Sequence, residues 1–268
     1  METILAHVAT LPLDRCRILL VDDERTLGNV CHVPSAGGYA KLGAGVEEMV
    51  SQHAGHTAIL CTALHIQETG NIYVNVEPVT LCGKHVRLEP LTRAHTDALA
   101  VAGLHPELWT WIPTPVTTPL KMSEYVDTAL DEQARGVSLP FVIVDAETNE
   151  VIGCTRYGNV ERAHKRVEIG WTWVTPRRQR TPVNSEAKLL LLTHAFETLG
   201  TNRVELKTDA LNTKSRNAIG RIGAVQEGIF RQHMITASGR VRDTVYFSII
   251  KAEWPDVKRR LQERLAYI

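Results

Sequence analysis

Three groups of side chains in this sequence have types and spacings that suit chemistry. The first is the basic turn Pro176-Arg-Arg-Gln-Arg-Thr-Pro-Val-Asn184. Thr181 reads as the N-cap of a following helix and Pro182 as its first residue. A helix start presents free N–H groups and the positive end of its dipole, so this turn can hold a pyrophosphate. Arg177, Arg178 and Arg180 would add charge-assisted bonds; a solvated basic loop is the alternative. The second group is Glu168, on the otherwise apolar and aromatic run Val167-Glu-Ile-Gly-Trp-Thr-Trp-Val174. Such surroundings predict a raised pKa, which suits a general base. An outward-facing Glu168 paired with Arg156 or Arg166 is the competing arrangement. The third is Asn212-Thr-Lys-Ser215. Asn212 is placed to cap a helix, and Ser215, one turn on, points the same way or remains a surface hydroxyl.

Two further sets are weaker. Trp109 and Trp111 can wall a pocket or hold a cation against a ring face, although alternating positions on one segment cannot both face inward. Trp171 and Trp173 share one strand face and are expected in the core. His53, His56, Cys61 and His65 are zinc-ligand types, but their spacing matches no familiar finger, so no metal is expected.

Composition restricts what these groups can serve. The chain has 268 residues, with 30 Lys+Arg against 30 Asp+Glu, and its neutral total argues against a general polyanion or nucleic-acid binder. No apolar run is long enough to span a bilayer. Five cysteines, at 16, 31, 61, 82 and 154, are odd in number and irregular in spacing, which suits reduced thiols and a cytoplasmic location. The neutrality conceals a split. Residues 1–76 carry 4 Lys/Arg and 8 Asp/Glu, whereas every Trp and Phe lies after residue 77. The expected division is therefore an N-terminal extension or small lobe at 1–76 and a working domain at 77–268.

Periodicity supplies the elements that must position the three groups. In the first part, Arg17–Asp22 reads as a buried strand, Val46–His53 as a short helix and His56–His65 as an apolar segment. From residue 85 the order is β α α β β β α β α β β α. Strands are expected at 85–91, 139–145, 151–157, 167–174, 203–209, 225–233 and 240–250. Helices are expected at 92–102, 121–135, 182–199, 213–222 and 254–265. This is an α+β unit.

Six segments in that order, Val167–Trp173, Asn184–Leu192, Arg203–Asp209, Asn212–Ile219, Arg221–Arg231 and Asp243–Ser248, resemble the GCN5-related N-acetyltransferase (GNAT) superfamily, and within it the RimJ/RimL-like branch. The resemblance implies a mixed, splayed β-sheet flanked by helices, opening between strands 167–174 and 203–209. It implies acetyl-CoA as cosubstrate and a primary amine as acceptor, either a protein N-terminus or a small molecule. Attack would be direct, in a ternary complex. The cofactor-binding set would be Trp173, Val174, Arg177, Arg178, Gln179, Arg180, Thr181, Val183, Asn184, Asn212 and Ser215. Backbone N–H groups near Trp173 and Val174 would polarise the thioester, Glu168 would take the amine's proton and Ser215 would support the leaving thiolate. Trp109, Trp111, Tyr157 and Tyr246 would flank the acceptor. Gln179 matches the family's phosphate turn, but Pro182 and Asn184 stand where it has glycines. That departure leaves open a non-catalytic acetyl-CoA sensor acting through a partner. No membrane or nucleic-acid partner is expected, and a homodimer is allowed.

Overall fold

The computed structural model describes residues 74–266 and, before them, four strands: β1 (Ile18–Asp22), β2 (Arg25–Cys31), β3 (Glu47–His53) and β4 (His56–Ala63). The chain divides into two compact units, residues 1–69 and 70–268. In the first, β1 pairs antiparallel with β2, and β3 with β4. The strand expected at 17–22 is present. The helix expected at Val46–His53 is instead β3, because a seven-residue run has no decisive period and β4 offers it a ladder. His65 and the side chains of His53, His56 and Cys61 lie outside the described residues.

The second unit is built on one eight-stranded sheet. Its strands are β5 (Leu81–Cys82), β6 (Val86–Pro90), β7 (Leu139–Asp145), β8 (Val151–Glu161), β9 (Arg166–Val174), β10 (Arg203–Asp209), β11 (Val225–Ile235) and β12 (Val241–Ile250). They lie in the order β11-β12-β10-β9-β8-β7-β6-β5. Only β9 and β10 are parallel; every other neighbouring pair is antiparallel. Helices α1 (Thr96–Gly103) and α2 (Pro119–Ala134) cover one face, over Val142, Val144, Cys154 and Trp173. Helices α3 (Val183–Thr193), α4 (Thr213–Arg221) and α5 (Trp254–Ala266) cover the other, over Phe141, Ile169, Leu206, Val245 and Ile249.

Local sequence accounts for most element ends. Thr118 caps α2 by accepting from Lys121 N, and Gly136 follows that helix at φ 71°. The helix expected at 182–199 ends its α-turns at Thr193 and continues as a π-turn, His194–Thr198. Pro182, not Thr181, is its N-cap. The Thr181 hydroxyl instead donates back to the Arg178 carbonyl at 2.7 Å, which closes the preceding turn.

The sheet opens between its two parallel strands. Pairing of β9 with β10 runs only through Arg166–Arg203, Val167–Val204 and Glu168–Glu205. Beyond Glu168, β9 stays with β8 while β10 stays with β12. A bulge in β9 accompanies this divergence: Cys154 faces Trp173 but Arg156 faces Gly170, and Trp171 takes a left-handed φ of 50°. The result is a fork with Glu168 at its closed end.

Candidate active site

The fork presents a polar face on the side of α1 and α2. Along β10 and β12, Val204, Leu206, Val245, Phe247 and Ile249 point into the α3/α5 core. The alternate residues Glu205, Lys207, Asp209, Arg242, Thr244 and Tyr246 therefore share the opposite face with Glu168. Glu168 is 2% exposed. Its Oε2 accepts from Asn159 Nδ2 at 2.6 Å and lies 2.9 Å from Lys207 Nζ. Its Oε1 lies beside Gly170, where an added Cβ would sit 3.0 Å away. Glu168 thus does not face the apolar setting that its neighbours in sequence suggested. Neither Arg156 nor Arg166 holds it, since they pair with Glu132 and Glu205.

Asn159 and Lys207 escaped the sequence reading. Asn159 reaches Glu168 from a second bulge, in β8, where it adopts a left-handed φ of 46° that Asn tolerates. Lys207 is the second residue past the last β9–β10 pair, on the face that Glu205 shares. Only its period-2 relation to Glu205 could have pointed there.

A cleft of about 350 Å³ opens on the same face, with Asn159, Glu205, Glu227, Phe230 and Tyr246 among its walls. Its charged groups are mutually satisfied. Arg203 bonds both Glu205 and Glu227, and its guanidinium holds the Glu227 carboxyl down at about 2. Tyr246 stacks against Phe230 with ring centroids 4.4 Å apart, and Lys207 lies over its ring. The tip of the β11–β12 hairpin closes on the α1–α2 segment: Ala237 N donates to Pro113 O, and Arg240 stacks over Trp111.

The other aromatic candidates lie deeper. Trp109 is buried among Tyr125 and Trp173, and its indole N–H donates to Gly103 O at 2.8 Å. Tyr157 is wholly buried on the α3 side, donating to Leu191 O, and offers no surface to a ligand in this conformation. Trp173 and Val174 are buried too. Trp111 and Tyr246 remain beside open space, whereas Trp109 and Tyr157 are packing residues.

At the basic turn, the first intrahelical bond of α3 is donated by Glu186 N to Pro182 O. The N–H groups of Val183, Asn184 and Ser185 therefore have no partner within the helix. Because Pro182 is the cap, its missing N–H falls outside this donor set. Val183 turns its side chain into the core, and Asn184 is half-buried. The arginines divide. Arg177 pairs with Glu150 at 2.8 Å and Arg178 with Asp145 at 2.7 Å. Burial raises the Asp145 pKa, but backbone N–H bonds from Thr148 and Glu147, together with Arg178, outweigh it and leave it lowered. Arg180 is exposed, at a left-handed φ of 63°, with no carboxylate partner among the described residues. Gln179 is held between Val174 O and the Lys214 ammonium. Asn212 caps α4 by accepting from Ser215 N at 3.0 Å, and the Ser215 hydroxyl is half-buried. No cluster of metal-ligating side chains occurs among the described residues.

Comparison with known proteins agrees with this geometry. A GCN5-related N-acetyltransferase from Brucella melitensis superposes with a TM-score of 0.68 at 33% identity, over 72% of this chain and 88% of that one. The RimJ protein of Mycobacterium smegmatis, solved with CoA-disulfide, shares the fold at a TM-score of 0.62 and 24% identity, over 70% of this chain and 95% of that one. A Bacillus subtilis protein, YdaF, whose name assigns it provisionally to ribosomal N-acetylation, is 34% identical over 37% of this chain and 54% of its own length. The forked sheet, the helix start beyond β9 and the match of residues 85–225 to the acetyltransferase (GNAT) domain together place this chain in that family, as an N-acetyltransferase.

Proposed function

We propose that the protein moves an acetyl group from acetyl-CoA to a primary amine, by direct attack within a ternary complex. One observation carries this reading: a buried carboxylate, Glu168, closes a fork in the sheet whose open side leads to an unpartnered helix start. The residues present fit the coenzyme. Three first-turn N–H groups with Arg180 and Lys214 nearby suit a diphosphate, and β9 beyond Glu168 lacks a strand partner on its β10 side. The coenzyme, when bound, supplies the activated acetyl group as a thioester.

The protein's own residues do the rest. Backbone N–H groups near Trp173 and Val174 polarise the carbonyl. Asn159 and Lys207 fix Oε2 of Glu168, which leaves Oε1, beside Gly170, to take the amine's proton. Ser215, on the first turn of α4, supports the departing thiolate. Arg177 and Arg178 act on the turn itself and Arg180 on the phosphates. The name of YdaF favours a protein amine as acceptor.

Thiol release from acetyl-CoA, across peptide, polyamine and aminoglycoside panels, tests the reading. Glu168→Gln should lower kcat by about 100-fold or more while coenzyme affinity in calorimetry stays put. An unchanged kcat and pH–rate profile would remove Glu168 from the role. Absence of thiol release with every amine, with coenzyme still bound, would favour a sensor.

A further inference from the structure

On the polar face one buried cation is poorly matched by the carboxylates around it. Beside the fork stand Lys207, Arg240 and Arg242, against Glu168 and Asp209. Lys207 belongs to Glu168. Asp209, with no exposed side-chain surface, is held by a close ion pair to Arg240. Arg242 shares that carboxylate only at 3.8 Å, although it is itself 5% exposed. Burial accordingly pulls the Arg242 guanidinium below its ordinary pKa, against the opposing pull of Asp209. A buried cation short of a counter-charge is costly, and its presence calls for a group that completes it.

Hydrogen bonding gives an independent indication. Arg242 Nε and Thr244 Oγ1 are both buried without a hydrogen-bond partner among the described residues. They lie two residues apart on β12, so they face the same way, and Thr244 stands opposite Asp209 across the β10 ladder. Two other buried, unpartnered donors, Arg156 Nε and Trp173 Nε1, belong to the same side of the sheet, under α1 and α2. Buried donors without acceptors are rare enough to need a reason; one buried acceptor, Gln133 Oε1 of the covering helix α2, is likewise without a partner among the described residues. Arg242 and Thr244 share the sheet face that carries Glu168 and Lys207, and Arg242 lies within the field of Glu168 and Tyr246.

We propose that Arg242 and Thr244 form a carboxylate-binding subsite next to Glu168, and that the preferred acceptors are amines carrying a carboxylate on the same molecule. The guanidinium Nε and the Thr244 hydroxyl donate to the carboxylate oxygens while the amine reaches Glu168. A free amino acid and a peptide with an acidic residue near its N-terminus present the same chemistry. Polyamines and aminoglycosides present the opposite charge and would meet Lys207, Arg240 and Arg242. This inference rests on the acetyl-transfer reading above and deepens it.

The test compares matched acceptors in the thiol-release assay: amino acids against their carboxamides, and peptides with Asp in second position against the same peptides with Asn. The carboxylate member of a pair should lead by about tenfold or more in kcat/KM. A lead confined to the amino acids, or to the peptides, identifies which source fits. Arg242→Gln should raise KM for the carboxylate member towards that of its partner, with kcat little changed. Thr244→Val should do the same to a smaller degree, and it serves if Arg242→Gln does not fold. Equal rates within every pair overturn the subsite. So does an Arg242→Gln protein that keeps the preference but binds acetyl-CoA more weakly, since the donors would then belong to the coenzyme. If coenzyme A fails to bind the wild-type protein at all, the acetyl-transfer reading falls. Calorimetry of the same amino acids against wild type and Arg242→Gln then decides the subsite separately, and undetectable or equal binding overturns it.

Discussion

Strands β10 and β12 carry two opposite chemistries on one backbone. On the α3/α5 side, Leu206, Val245, Phe247 and Ile249 merge into the main core. On the other side, Asp209, Arg242 and Thr244 are buried to a similar degree, and Lys207 partly so, but they are ionic or hydroxylic. Burial of the first set stabilises in proportion to apolar area. Burial of the second set at best offsets its own desolvation. A fold under selection for stability alone would not keep the second face buried, so its retention points to the chemistry at the fork.

Substitutions on the two faces should therefore fail differently. Asp209→Ala strands Arg240 and Arg242 without their carboxylate and should cost about 3–5 kcal/mol of unfolding free energy. Leu206→Ala, its counterpart across the strand, should cost about 2–5 kcal/mol by leaving a cavity. Denaturant unfolding measures both. The comparison is sharpened by kcat per folded molecule, which should fall for Asp209→Ala and hold for Leu206→Ala.

Gly170→Ala tests the polar face with little charge change. Its Cβ would press on Glu168 Oε1, so kcat should drop by about tenfold with a smaller change in stability. Equal activity would show that Oε1 has room to move and that its position does not matter.

One residue on the apolar side breaks the pattern. Lys188 of α3 is buried in that core and, among the described residues, has no carboxylate partner and donates only to Thr172 Oγ1, at 2.7 Å. Burial brings its pKa down to about 7. Between that value and the ordinary lysine pKa, the unfolded chain holds a proton that the folded one lacks. Stability should therefore rise with pH across the window, by at most about 1.4 kcal/mol per pH unit, with the full cost present below about pH 7. Lys188→Met should be more stable than wild type at neutral pH, and the difference should shrink in alkaline denaturation curves.

The smallest effect is expected at the basic turn. Arg180→Ala should weaken acetyl-CoA binding several-fold in calorimetry, because this arginine is exposed and has no carboxylate partner among the described residues to release. Arg177→Ala should leave affinity nearly unchanged, since it removes a surface pair with Glu150. Equal losses from both would return the phosphates to the whole arginine cluster.

Much of the fold was legible along the chain. Apolar runs and alternation marked β7, β9, β10 and β12 to within a few residues, because β7 is buried on both faces and the others pack a face against helices, whereas β11 is mostly exposed. Glu168 stood out as a lone acid in an apolar run, and Asn212 as a cap, both from local composition. The cap of α3 shifted by one residue because Thr181 turned back onto Arg178. Short β3 was misread because seven residues carry too little periodicity.

What the sequence alone determined was the order of elements, the family they resemble and which side chains could serve an anion, a proton or a cap. These follow from periods and capping rules that act within a few residues. The tertiary structure decided which of those side chains remain free. Arg177 and Arg178 are spent on Glu150 and Asp145, and Tyr157 and Trp109 on packing. Asn159, Lys207, Arg242 and Thr244 are recruited to the fork from β8, β10 and β12. Two bulges and a parallel pair that ends after three residues bring them together. Such pairings depend on strands far apart in the chain, and no local pattern encodes them.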